Sequence, residues 1–68
     1  MKPTNALAGR EILLEMIPLG VYVKVTAFDT ATMTEVSIQG PKSAPDSLLQ
    51  SNALKRLEYV LRKNGHIA

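Results

Sequence analysis

Alternation of apolar and polar residues in the first half of the chain limits its fold more than any other feature. Residues 11–28 read EILLEMIPLGVYVKVTAF, and residues 18–20 divide this stretch into two runs with a period close to two. This period places alternate side chains on opposite faces, which is typical of a hairpin buried on one face. A third run, residues 34–39, repeats the period. The pattern predicts three antiparallel strands joined as a meander.

The first hairpin is predicted to turn at Leu19 and Gly20, because glycine adopts a positive φ without steric cost. This turn pairs Glu15 with Lys24 on one face. The other face of the hairpin is then wholly apolar. A slip of one residue would expose that face to water, so the pattern specifies the register strongly.

The second connection places an unusual residue near its end. Pairing Ala27 with Val36 keeps the apolar face continuous into the third strand, and residues 29–33 form the loop. Loops of this length favour a left-handed residue, usually Gly or Asn, where this chain has Met33. We expect either a different loop shape or a local penalty of about 1 kcal/mol at Met33.

One amphipathic helix is predicted after the strands. Ser43 and Asp46 have the spacing of a capping box, and Pro45 is tolerated in a first turn. The helix should end near Lys63, before residues 64–65. Its apolar stripe comprises Leu49, Ala53, Leu54, Leu57, Val60 and Leu61. The sheet face that it would cover comprises Ile12, Leu14, Met16, Val21, Val23, Val25, Ala27, Val36 and Ile38.

These elements predict an α+β fold, a three-stranded antiparallel β-meander with one C-terminal helix packed on one face (βββα). The predicted boundaries are a flexible N-terminal arm at 1–8, a single domain at 9–64 and a C-terminal tail at 65–68. The chain has 68 residues and no cysteine. Its small core therefore has no disulfide to support it, which leaves tight packing or oligomerisation as the stabilising factor.

Charge and hydropathy point to a cytoplasmic protein. The net charge of +2 is uneven, since residues 1–41 carry three positive and four negative groups and residues 42–68 carry five and two. No stretch has the length of a signal peptide, and the apolar run at 16–23 is too short to span a membrane. The absence of cysteine fits a reducing compartment.

The sheet face away from the helix is the first candidate site. Four large apolar side chains fall on it, namely Leu13, Ile17, Tyr22 and Phe28. Patches of this kind tend to mark interfaces, although scattered apolar residues on a solvated face are the plainer interpretation. We predict a protein-interaction module that forms a homodimer, or binds a protein partner, through this open face or through an edge strand.

The outer face of the helix is the second candidate site. It gathers Lys55, Arg56, Tyr59, Arg62 and Lys63. Positive charges around an aromatic ring can bind phosphates and stack on a base, so a nucleic-acid-binding accessory protein is the alternative function. The plainer interpretation is a solvated face whose late basic residues complement the negative end of the helix.

Groups suited to catalysis or metal binding are few. His66 stands alone near the C-terminus, where we expect it to face solvent, because a metal site needs several converging ligands. Glu11 and Glu15 would lie about 13 Å apart along one strand, beyond the separation that paired-carboxylate hydrolysis requires. We therefore predict no enzymatic activity, no cofactor and no metal.

Three segments resemble a known family: GRE at 9–11, TEVSI at 34–38 and KRLEYVL at 55–61. Together they resemble a family of small uncharacterised bacterial proteins, largely alphaproteobacterial, over residues 9–62. The resemblance implies no particular activity. It also implies that a glycine is common at the position of Met33.

The order of three strands and a helix also resembles the later part of a double-stranded-RNA-binding domain. Such domains carry a basic cluster at the start of that helix, which contacts phosphates across the groove. In this chain Pro45 and Asp46 occupy the helix start, with Lys42 before them, and the basic residues come late. The preceding helix is missing, so the likeness is one of topology.

Overall fold

A computed structural model describes residues 5–68 of the chain. A short 3₁₀ turn at Asn5–Leu7 precedes three strands, β1 (Ile12–Leu19), β2 (Tyr22–Asp29) and β3 (Thr34–Pro41), and one helix, α1 (Asp46–Lys63). The strands form an antiparallel sheet in the order β1-β2-β3. The helix packs on β3 and β2. The predicted βββα fold is therefore confirmed.

The core lies between α1 and one face of the sheet. Its buried apolar residues are Leu7, Val25, Ala27, Val36, Leu49, Ala53, Leu57 and Leu61. Gly40 of β3 is also buried, and a Cβ atom added there would run into the side chain of Leu49. Glycine at this position therefore lets the helix approach β3 closely.

The first hairpin turns at Gly20 and Val21, one residue later than predicted. Leu19 pairs with Tyr22 across the turn. The predicted pairing of Glu15 with Lys24 is wrong, because Glu15 lies opposite Thr26 and Lys24 lies opposite Ile17. The pairing is displaced by two residues, so every strand side chain stays on its predicted face. Val21 leaves the helix side and becomes an exposed turn residue.

Pro18 explains the displacement. The predicted turn would place Pro18 opposite Val21 in the pair that closes the hairpin, where each residue both donates and accepts a hydrogen bond. Proline has no N–H to donate. In the structure Pro18 lies opposite Val23 on an edge strand, the setting in which sheets accept proline. Gly20 takes the first turn position with φ 63°, as type II′ turns prefer.

The second hairpin follows the predicted register. Val25 pairs with Ile38 and Ala27 with Val36. Residues 30–33 form the connecting loop, and Met33 adopts φ 59°. This non-glycine residue therefore occupies the left-handed region, as its position in the loop suggested.

Replacing Met33 with glycine should raise the free energy of unfolding by about 0.5–1 kcal/mol, because glycine removes the Cβ strain of the left-handed backbone. The Met33 side chain is 72% exposed, so its removal sacrifices little packing. Urea unfolding of the glycine variant would measure the gain. Met33→Ala is the control, since it removes the same side chain but keeps Cβ. An equal gain in both variants would place the effect in the side chain instead of the backbone.

The predicted capping box at the start of α1 is wrong. Pro45 is the N-cap residue, with φ −61° and ψ 140°, and no side chain caps the helix. Its carbonyl accepts hydrogen bonds from the N–H groups of Leu48 and Leu49. A residue that precedes proline avoids helical backbone angles. Ala44 therefore cannot begin the helix, and Ser43 is left outside it.

The C-terminal end of α1 is a Schellman motif. Gly65 has φ 80°, its N–H donates to the carbonyl of Arg62, and the His66 N–H donates to the carbonyl of Leu61. Both bonds satisfy carbonyls that the helix end leaves free. The sequence predicted this stop correctly at residues 64–65.

Both chain ends pack on the domain where the structure describes them. Ile67 contacts the core, and Leu7 is one of the buried core residues. The guanidinium of Arg10 donates to the carbonyl of His66 at 3.2 Å. Residues 65–68 of the predicted tail and Leu7 of the predicted arm therefore belong to the folded unit. Residues 1–4 of that arm lie outside the described residues.

Candidate interaction surface

The open face of the sheet carries all four side chains that the sequence proposed for an interface. Val25 and Ala27 of β2 are buried beneath α1, so Tyr22 and Phe28, at even-numbered positions of the same strand, lie on the opposite face. Leu13 and Tyr22 are each 53% exposed. Ile17 and Phe28 are half-buried.

The four side chains form two groups instead of one patch. Leu13 lies directly opposite Phe28 at one end of the face. Ile17 and Tyr22 lie at the other end, together with Leu19, an exposed residue that the sequence interpretation did not include. A polar row of Glu15, Thr26 and Ser37 separates the groups, and the hydroxyls of Thr26 and Ser37 are 3.1 Å apart.

The first strand is exposed on both of its faces, which sequence reasoning missed. Leu14 points to the helix side and is nevertheless 39% exposed. The cause is the width of the helix, since a helix about 10 Å across covers about two strands spaced about 4.8 Å apart. Because α1 packs on β3 and β2, β1 extends beyond it. The sequence already predicts one helix and three strands, so a comparison of their widths could have predicted that one strand stays partly exposed.

The outer edge of β1 has no strand partner within residues 5–68. The Glu11 carbonyl accepts a hydrogen bond from the N–H of Thr30, the residue that follows β2. Backbone groups of an antiparallel strand point to alternate sides along the chain. Odd-numbered residues of β1 therefore pair with β2, whereas Ile12, Leu14 and Met16 direct their N–H and C=O groups outward.

A buried ion pair lies at the end of the sheet that carries the β2–β3 loop. Asp29 is fully buried, and its Oδ2 lies 2.9 Å from Nη1 of Arg10. The same oxygen accepts hydrogen bonds from the Thr32 hydroxyl at 2.6 Å and the Thr32 N–H at 3.2 Å. Asp29 Oδ1 is buried without a hydrogen-bond partner among the described residues. We call Arg10, Asp29 and Thr32 the polar clasp.

The clasp holds its carboxylate in the charged form. Burial raises the pKa of Asp29, but the Thr32 hydrogen bonds and the Arg10 charge outweigh it, so the pKa lies below its ordinary value of 3.8. Arg10 also reaches the C-terminal segment through the His66 carbonyl. The clasp therefore joins the β2–β3 loop to the segment that precedes β1 and to the segment that follows α1. These contacts connect separate segments of the fold, which indicates that the clasp stabilises the structure.

The remaining candidates for chemistry are dispersed. His66 has an exposed side chain, and the Glu11 carboxylate accepts a hydrogen bond from the Thr30 hydroxyl at 3.2 Å. Within residues 5–68, no three His, Asp or Glu side chains converge as metal ligands would.

The predicted basic residues lie on the exposed side of α1, but one of their charges is paired with a carboxylate. The side chains of Lys55, Arg56 and Lys63 are exposed, and the Arg56 guanidinium lies 5.5 Å from the centre of the Tyr59 ring. Arg62 is engaged elsewhere, since it pairs with Glu58 at 2.9 Å and donates to the Ala68 carbonyl. Four of the five predicted residues therefore remain as a possible phosphate-binding surface, three of them cations.

Comparison with known protein families identifies the domain. A family model described as a domain of unknown function, DUF6898, matches residues 9–64. The chain belongs to this family. No curated protein and no solved structure matches it.

The DUF6898 match coincides with the structural unit. It begins one residue before Arg10 of the polar clasp and ends at Asn64, the C-cap of α1. All three strands and the helix therefore lie inside the family region, whereas the 3₁₀ turn at Asn5–Leu7 lies outside it. In the described part of this DUF6898 chain, α1 is too polar to cross a membrane.

Proposed function

We propose that this DUF6898 domain is a non-enzymatic protein-interaction module that forms a homodimer through the β1 side of its sheet. The observation that carries the proposal is the exposure of β1. Leu13 and Leu14 are exposed on opposite faces of the strand, Leu19 is exposed at its end, and the edge has no partner among the described residues. Exposed apolar patches and unpaired edges both favour association.

The size of the domain supports the same proposal. Within residues 5–68, the core of eight buried apolar residues stabilises the domain only modestly, and small domains gain stability by oligomerising. We also infer a bacterial cytoplasmic location, supported by the resemblance to alphaproteobacterial proteins and by the absence of cysteine.

Sedimentation velocity over a concentration series should reveal a dimer with twice the 7.4 kDa mass of the monomer. Leu13→Asp should weaken this dimer at least about tenfold, equivalent to about 1.4 kcal/mol, because it replaces an exposed apolar side chain of β1 with a charge. Gln39→Asp is the matched control, since Gln39 is exposed on the same face but lies on β3.

The control variant should dimerise like the wild type. A wild-type protein that remains monomeric at every concentration up to the millimolar range would overturn the proposed function. Equal weakening by Leu13→Asp and Gln39→Asp would show that the effect of an added carboxylate is not specific to β1.

Nucleic-acid binding is a second candidate function, which the Arg56–Tyr59 contact favours. An exposed ring beside exposed cations can stack on a base while the cations contact phosphates. Lys55, Arg56 and Lys63 supply the positive charge. This mode would recognise charge and shape, since residues 5–68 present no side-chain pattern for reading bases.

If the basic face binds duplex DNA, the logarithm of the association constant should fall with the logarithm of salt concentration at a slope of about −3, for three phosphate contacts. Fluorescence anisotropy with a labelled duplex would measure the slope. Lys63→Gln should reduce its magnitude by about one. Lys24→Gln on the sheet is the control and should leave it unchanged. Binding that does not respond to salt, or no binding at low salt, would exclude this function.

A further inference from the structure

We infer that the partner at β1 is a second copy of this chain, joined edge to edge in antiparallel register with Leu14 facing Leu14 on a two-fold axis. This inference rests on the proposed function and specifies its geometry. The two three-stranded sheets would become one six-stranded sheet in the order β3-β2-β1-β1-β2-β3. Main-chain hydrogen bonds would carry the contact, as in other cases of strand addition.

The edge of β1 has few of the features that protect natural edge strands from pairing. Natural edge strands carry lysines, inward charges, bulges or a covering element. α1 packs on one face of β3, whereas β1 reads ILLEMIPL, with one charged side chain and no lysine in eight residues. Its single proline, Pro18, lies near the end of the strand. Ile12, Leu14 and Met16 therefore retain outward backbone groups that a partner strand can use.

The positions of those groups define the register. Pairing Leu14 with Leu14 places Ile12 opposite Met16 twice, so every outward N–H finds a carbonyl in the other copy. A shift of two residues in one direction brings in Pro18, which has no N–H. A shift in the other direction brings in Arg10, whose N–H already donates to the carbonyl of Leu7.

Charge selects the same register. With Leu14 on the axis, Glu15 of each copy lies directly opposite Leu13 of the other. The shift toward Pro18 would place Glu15 against Glu15, and the shift toward Arg10 would place Glu15 against Glu11. Like charges directly opposite each other destabilise a sheet. The two-fold register centred on Leu14 is the one of the three that avoids both clashes.

Edge pairing suits the open face better than stacking two sheets face to face. Stacking would bury Glu15, Lys24 and Glu35, three charged side chains of the open face that are at least partly exposed. Removing charged groups from water without fixed partners is unfavourable. Edge pairing leaves these groups in water. It also covers the exposed helix-side surface of Leu14 with the same residue of the second copy.

The first experiment removes one outward donor. Leu14→Pro should abolish the dimer while preserving the fold, because the Leu14 N–H points away from β2. Pro18 already occupies an equivalent outward-facing position of the same strand. Leu14→Thr is the matched control, since it changes the side chain but keeps the N–H. We expect a monomer for the proline variant and a dimer for the threonine variant, both with helical circular dichroism.

The second experiment tests the register by charge exchange, and it decides the matter if Leu14→Pro does not fold. Leu13→Asp places a carboxylate opposite Glu15 of the other copy and should weaken the dimer at least about tenfold. Adding Glu15→Lys converts that repulsion into an opposite-charge pair. Recovery of dimerisation in the double variant, while Glu15→Lys alone gives no comparable gain, would establish this register.

The outcomes separate this inference from the proposed function. A wild-type chain that never dimerises overturns both. A dimer that survives Leu14→Pro, or a Leu13→Asp defect that Glu15→Lys does not repair, overturns the edge-to-edge register and leaves the interaction module standing. Loss of that dimer in Tyr22→Ser and Phe28→Ser would then assign the contact to the open face, because both side chains lie one strand inside the edge.

Discussion

Replacing Asp29 with alanine should lower the free energy of unfolding by about 3 kcal/mol, the lower end of the range for breaking a buried ion pair. The carboxylate is fully buried and accepts hydrogen bonds from Arg10 and Thr32. Its removal leaves both donors without their acceptor. Arg10 retains partial access to solvent, which keeps the loss from being larger.

Urea unfolding at a fixed protein concentration would measure this loss, since a dimer makes apparent stability depend on concentration. Glu35→Ala is the matched control, because it removes an exposed carboxylate from the same sheet and should change stability by less than about 0.5 kcal/mol. Equal losses in the two variants would show that the clasp does not stabilise the fold.

The same residue should make the domain sensitive to acid. The pKa of Asp29 in the folded state lies below 3.8, its ordinary value. Its stabilising contribution is therefore complete above that value and is lost as the pH falls through the lower folded pKa. The difference in unfolding free energy between the wild type and Asp29→Asn should shrink between about pH 5 and pH 2. A difference that stays constant would contradict the assignment.

Periodicity was sufficient to predict the sheet, because a period of two fixes which face each side chain occupies even when the turn is misplaced. The turn was off by one residue and the pairing by two, and both errors left the apolar face intact. Pro18 contained the missing information. The residue pair that closes a hairpin needs an N–H donor on each side, and Pro18 has none. This fact alone predicts a turn at Gly20 and Val21.

The candidate site was predicted less completely, because it depends on where the helix lies across the sheet. The apolar pattern showed that α1 covers one face but not which strands it covers. Leu14 was therefore assigned to the core, although it is partly exposed on β1. Leu13, Ile17, Tyr22 and Phe28 were assigned to the correct face. Their division into two groups depends on register and could not follow from periodicity alone.

The sequence could not predict the polar clasp, for a related reason. Arg10 and Asp29 are 19 residues apart in sequence and meet at one end of the sheet. An aspartate at the end of a strand usually indicates a turn and a solvent-exposed carboxylate. Only the three-dimensional arrangement shows that Arg10 closes over it. Sequence patterns predict layers well, whereas ion pairs between distant positions depend on the exact course of the chain.

The second large effect is expected at Leu57, where substitution by alanine should lower the free energy of unfolding by about 4 kcal/mol. Leu57 is 0% exposed and belongs to the core between α1 and the sheet. The total stability of a 68-residue domain is roughly 3–10 kcal/mol. The substitution should therefore remove about 40% or more of the total stability.

Leu48→Ala provides the control, because Leu48 lies on the same helix and is 51% exposed. It should change the unfolding free energy by less than about 0.5 kcal/mol. Leu57→Met nearly conserves volume and should cost less than about 1.5 kcal/mol. Helical circular dichroism during urea unfolding would rank the three variants. Similar losses at Leu48 and Leu57 would mean that a partner covers the outer side of α1 as well, and association would then involve the helix and not only β1.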